Sequence, residues 1–87
     1  MVSIAQRVRD HVIANGITQA RDAGLREVTM LARDVATALG LKHLTRDICQ
    51  AMYGQKLARA ANVRIERIGA AESLETQFRY IGKLYMI

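Results

Sequence analysis

Arg46 and Gln50 stand four positions apart, one turn of a helix, on side chains long enough to reach past the helix surface. Arg offers a fork of donors that fits the O6 and N7 of guanine, and Gln offers the donor and acceptor that fit adenine, the pairings that major-groove geometry favours. The charge around them is biased. Between Lys42 and Arg67 there are six basic residues (Lys42, Arg46, Lys56, Arg59, Arg64, Arg67) against two acidic ones (Asp47, Glu66), a net of +4 in a chain whose total is +5. The chemistry on offer is therefore contact with a polyanion: base edges from Arg46 and Gln50, phosphates from Lys56, Arg59, Arg64 and Arg67. Each has a plainer reading. Arg and Gln are common on any solvated helix face, and dispersed cations keep a small domain soluble.

Other reactive residue types are sparse. His43 could cap a helix or reach a phosphate, and His11 falls on the inward edge of the first helix as a core-border residue. Cys49 flanks an apolar stripe and reads as a small packed thiol, since the chain has no second cysteine to resolve an oxidised one. With two histidines and one cysteine there is no metal-ligand spacing such as C-x-x-C or H-x-x-x-H, so neither a metal nor another cofactor is expected. Asp10 beside His11, or Asp47 near His43, could be assembled into an acid and a base, but such pairs arise in any chain of this composition. There is no Gly-rich phosphate loop and no Gly-x-Ser-x-Gly elbow, and the sequence predicts a protein that is not an enzyme.

The elements that must position these side chains follow from periodicity. Ser3 with Gln6 is a capping-box pattern, and Ile4, Val8, His11 and Val12 then share one side of a helix. Asn15-Gly16 predicts a break before the helix-compatible run to Ala23 ends at Gly24, giving one interrupted helix or two short ones. Residues 25–30 alternate as a short strand. Leu31, Ala32, Val35 and Leu39 form the inward stripe of a second helix, with Arg33 and Thr37 outward. Gly40 ends it in a left-handed turn, and Leu41 plugs the corner. In a third helix Leu44, Ile48, Ala51 and Met52 project inward, whereas Lys42, Arg46, Gln50 and Tyr53 project outward. Gly54 ends or kinks it before a further helical turn or two to Ala61. Residues 63–69 and 74–81 read as the strands of a hairpin turning at Ala70–Ser73, with Leu74, Thr76, Phe78 and Tyr80 on one face; Ile68 is out of phase with Val63 and Ile65, which predicts a bulge or a distorted end there.

The order is helix, strand, helix, helix, hairpin: an α+β chain that resembles a winged helix-turn-helix domain. The resemblance spans about residues 25–82 and rests on Ala32, Val35, Leu39-Gly40-Leu41 and Ile48, followed by the two-stranded wing. The run from Leu41-Lys42 through Cys49-Gln50-Ala51-Met52 is also similar to a set of small prokaryotic winged-helix proteins. The resemblance implies a double-stranded DNA partner, with the helix around residues 43–53 in the major groove. It assigns that reading to Lys42, His43, Thr45, Arg46, Gln50 and Tyr53, with Arg64 and Arg67 contributed by the wing. The tip, Gly69 to Ser73, departs from the pattern in carrying Glu72 and no Lys or Arg, which disfavours its insertion into a minor groove.

Length and composition agree with one domain over residues 1–87: a helical segment (1–24), the helix-turn-helix and wing (25–82), and an apolar end (83–87). A chain of 87 residues, 51% of them hydrophobic, is globular but buries only about 60 to 65% of its unfolded surface, so a homodimer would help it. The first helix and Leu84, Tyr85, Met86 and Ile87 are its candidate surfaces, although the apolar end could equally close the domain's own core. No run approaches the roughly 18 apolar residues of a membrane span, and the N-terminus lacks the apolar stretch of a signal peptide, so a cytoplasmic location is expected. Two functions share this fold: a small transcriptional regulator, or the DNA-binding part of a larger system, and a protein-interaction module that uses the same helix without nucleic acid. The second requires an exposed apolar strip where the first requires a basic face.

Overall fold

The computed structural model describes residues 2–82. Ser3 caps α1 (Ile4–Val12), its hydroxyl accepting from the Gln6 amide at 3.1 Å. The reciprocal half of the capping box is absent: the Gln6 side chain instead donates forward to Asp10 Oδ1 at 2.7 Å. At Asn15-Gly16 the chain does not stop. It widens into a π-helical turn, Ile13–Ile17, and continues as α2 (Thr18–Asp22). Gly16 is buried in this turn, and a Cβ there would meet the Sδ end of the Met30 side chain, which would have to move aside.

Strand β1 (Glu27–Leu31) passes directly into α3 (Ala32–Leu39), which ends at Gly40 with φ 69° and ψ 32°. Leu41 plugs the corner, 7% exposed. A 3-10 turn, Lys42–Leu44, leads into α4 (Thr45–Tyr53), and extended backbone at Gly54 separates it from α5 (Gln55–Ala61). Strands β2 (Val63–Ile68) and β3 (Gln77–Gly82) complete an antiparallel sheet of order β1-β3-β2. Val8, Val12, Val35, Ile48, Met52, Leu57, Phe78 and Tyr80 fill the core between the helices and one face of the sheet. The domain is thus a small α+β fold, and α4 packs on α1 and α3.

Two expectations about the hairpin are corrected. The pairing of β2 with β3 runs without interruption from Val63↔Gly82 to Ile68↔Gln77, so there is no bulge. Ile68 is out of phase because it belongs to the outer face, where it is 36% exposed. The second strand also begins three residues later than its alternation predicts. Leu74 and Thr76 are not strand residues: their carbonyls accept the amides of Arg33 and Ala32 at 2.9 Å each, supplying the start of α3 with acceptors that no side chain provides. The connection between β2 and β3 therefore covers residues 69–76, not a turn at Ala70–Ser73, and lies against the helices. The candidate dimer end, Leu84 to Ile87, is outside the described residues, among which no helix is long and apolar enough to cross a membrane.

Candidate nucleic-acid interface

The outward face of α4 is built by the turn before it. Leu41 donates to the Ala36 carbonyl and Leu44 to the Leu41 carbonyl, both at 2.9 Å, and the Thr45 hydroxyl donates to the Lys42 carbonyl at 3.2 Å. Thr45 is thereby spent on closing the turn and is half-buried, while Lys42 and His43 stand exposed on it. Ile48, Cys49, Ala51 and Met52 anchor α4 to the core, and this fixes Arg46, Asp47, Gln50 and Tyr53 outward. His11 is half-buried beside the core, its ring nitrogen Nδ1 3.2 Å from Asn15 Nδ2.

Tyr53 is the pivot between helix and sheet. Its ring lies 5.9 Å from that of Phe78 at a 38° tilt, and the Arg67 guanidinium sits over it, 5.1 Å from the ring centre. Arg67 pairs with Phe78 in the sheet and so shares the helix-facing side. Arg64, three residues away, belongs to the other face. There it is 3.4 Å from Glu66, which also holds Arg79 at 3.2 Å. The two arginines expected to act together are thus separated by the pleat, and Arg64 shares the Glu66 carboxylate with Arg79. Lys56 and Arg59 lie on α5, exposed opposite the buried Leu57 and Ala61, and the break at Gly54 gives that helix its own direction. The structure brings together Arg46, Gln50, Tyr53 and Arg67, with Lys42 and His43 at the start of the helix.

Glu72 belongs to the same constellation, and the sequence marks it only as the single charge in an otherwise neutral tip. Its Oε1 is 3.6 Å from Arg46 Nε, and its Oε2 accepts from Gln50 Nε2 at 3.4 Å. The loop that holds it is tied down from within. The buried Thr76 hydroxyl donates to the Ala70 carbonyl at 2.6 Å and accepts the Ser73 amide at 3.1 Å. Cys49 Sγ donates to the Ser73 carbonyl at 3.4 Å, and burial raises that thiol's pKa. Cys49 is accordingly a packed, protonated thiol at neutral pH.

Among the described residues the exposed large apolar side chains are Val2, Leu25, Tyr53 and Ile68, so Tyr53 alone lies on α4. No group of three or more His, Cys, Asp or Glu is placed to hold a metal ion among these residues. Comparison with family models, curated proteins and solved structures yields no match.

Proposed function

We propose that this domain is a sequence-selective DNA-binding module of the winged-helix kind that reads the major groove with α4. It would serve as a small transcriptional regulator or as the DNA-binding component of a larger system. The observation that carries the reading is the outward face of α4, on which Arg46 and Gln50 project one turn apart from a helix anchored by Ile48 and Met52. Two further features support it. The helix follows a left-handed turn at Gly40 that sets its angle to α3, and the antiparallel order β1-β3-β2 leaves the β2–β3 connection beside it. The protein-interaction alternative has less support, because Tyr53 by itself makes no apolar strip on that face.

The test is selection from a random pool of duplexes at moderate salt, followed by a salt titration of the recovered sequence. Each phosphate contact adds about −0.9 to the slope of log K against log salt, so a phosphate-binding face gives a clearly negative slope. Absence of binding at low salt, or a slope of zero, rules the reading out.

A further inference from the structure

We infer that Glu72 is a positioning residue for base recognition, holding Arg46 and Gln50 in a reading posture and keeping Arg46 from general phosphate attraction. The inference rests on the DNA-reading assignment of α4. Its ground is the division of labour in the contacts. Glu72 uses separate oxygens for the two side chains, Oε1 toward Arg46 and Oε2 toward Gln50. It approaches Arg46 at Nε, leaving the two terminal amino groups of the guanidinium for the O6 and N7 of guanine. Gln50 likewise keeps its oxygen and its second amide hydrogen for adenine.

The posture is held by the loop, which the Thr76 hydroxyl braces from within and which Cys49 and the Leu74 and Thr76 carbonyls tie to the helices. Glu72 is 39% exposed and Arg46 77% exposed in their side chains, so the pair opens readily and its effect is modest. An arginine already facing a carboxylate gains less from a phosphate at the same place, whereas a guanine edge met by the free end of the guanidinium leaves the carboxylate contact intact. The consequence is discrimination: Glu72 lowers affinity for arbitrary DNA more than affinity for the selected site.

Affinity of the parent, Glu72→Gln and Glu75→Gln chains is measured for a random-sequence duplex and for the selected duplex across a salt series, by fluorescence anisotropy. Glu75 lies in the same loop and pairs with Arg33, so its change controls for loss of one negative charge. Glu72→Gln is expected to strengthen random-duplex binding by up to about fivefold and to steepen its salt slope by about 0.9. Binding to the selected duplex stays level or weakens. The ratio of the two affinities falls, and adding Arg46→Ala abolishes that fall. Equal changes on both duplexes, no change on either, or the same pattern from Glu75→Gln overturn the role of Glu72 and leave the DNA reading standing. If neither the parent nor Glu72→Gln binds any duplex at low salt, the DNA reading falls and this inference with it.

Discussion

The Tyr80 hydroxyl donates to the Met52 carbonyl at 2.7 Å, joining the central strand of the sheet to the last turn of α4. Met52 has this carbonyl free because Gly54 turns extended and interrupts the helical ladder. The bond therefore fixes where α4 ends and how it sits on the sheet. Removing the hydroxyl in Tyr80→Phe leaves a buried acceptor unpaired, at an expected cost of about 1 to 3 kcal/mol. Urea unfolding at neutral pH measures it, and a mutant as stable as the parent would mean that water reaches this carbonyl.

Burial raises the pKa of the Tyr80 hydroxyl, and it raises that of the Cys49 thiol from an ordinary value of 9.0. Both folded-state values lie above the unfolded ones, so the stabilisation is complete below pH 9 and declines as the unfolded chain ionises at higher pH. Stability should fall between pH 9 and 11, and Tyr80→Phe should fall less steeply. A parent stability flat across that range would contradict the burial of both groups.

Local signals carried much of the fold. Gly40 followed by Leu41, the cap at Ser3 and the inward stripe of Ile48, Ala51 and Met52 each depend on residues within a turn or two of one another, and the structure follows them. Leu74 and Thr76 were misleading for a physical reason: they alternate in phase with Phe78 and Tyr80 and are drawn toward the core, as strand residues would be, but their backbone caps α3. That choice depends on partners some forty positions away, which no local period encodes. The same limit applied to the site. The spacing of Arg46 and Gln50 was legible, whereas the loop that brings Glu72 onto both, and the pleat that parts Arg64 from Arg67, appear only once the sheet register exists.

Gly16 and Met30 offer a test of the π turn. Gly16→Ala places a methyl group against Met30 Sδ, and because the end of that side chain can move aside the cost should fall at the low end of the overpacking range, about 1 kcal/mol. Truncating the opposing side chain as well, in Gly16→Ala with Met30→Ala, should recover part of the loss relative to additivity. Strict additivity in thermal melts would show that the glycine answers to backbone conformation and not to the approach of β1.

Ile48 is fully buried at the centre of α4. Ile48→Ala should cost about 2 to 5 kcal/mol, a large share of the stability of a domain this small. A mutant that melts like the parent would place Ile48 on the surface and turn Arg46 away from the proposed reading face.

Arg64 and Arg67 give the sharpest test of the interface, because their sequence contexts are nearly alike and their surroundings are not. Arg67 lies over Tyr53 on the side of the sheet that faces α4, where, under the proposed function, its charge meets a phosphate beside the major groove. Arg64 lies on the other face, beside a Glu66 carboxylate that it shares with Arg79. Arg67→Ala should therefore weaken binding to selected and random duplexes alike and make the salt slope shallower by about 0.9, the signature of one lost phosphate contact. Arg64→Ala should leave the slope unchanged. Arg46→Ala differs from both, losing about 1 to 3 kcal/mol on the selected duplex and much less on random DNA. If Arg64→Ala and Arg67→Ala lower the slope equally, DNA wraps around the β2 edge to touch both faces of the sheet, and the interface is wider than the α4 face.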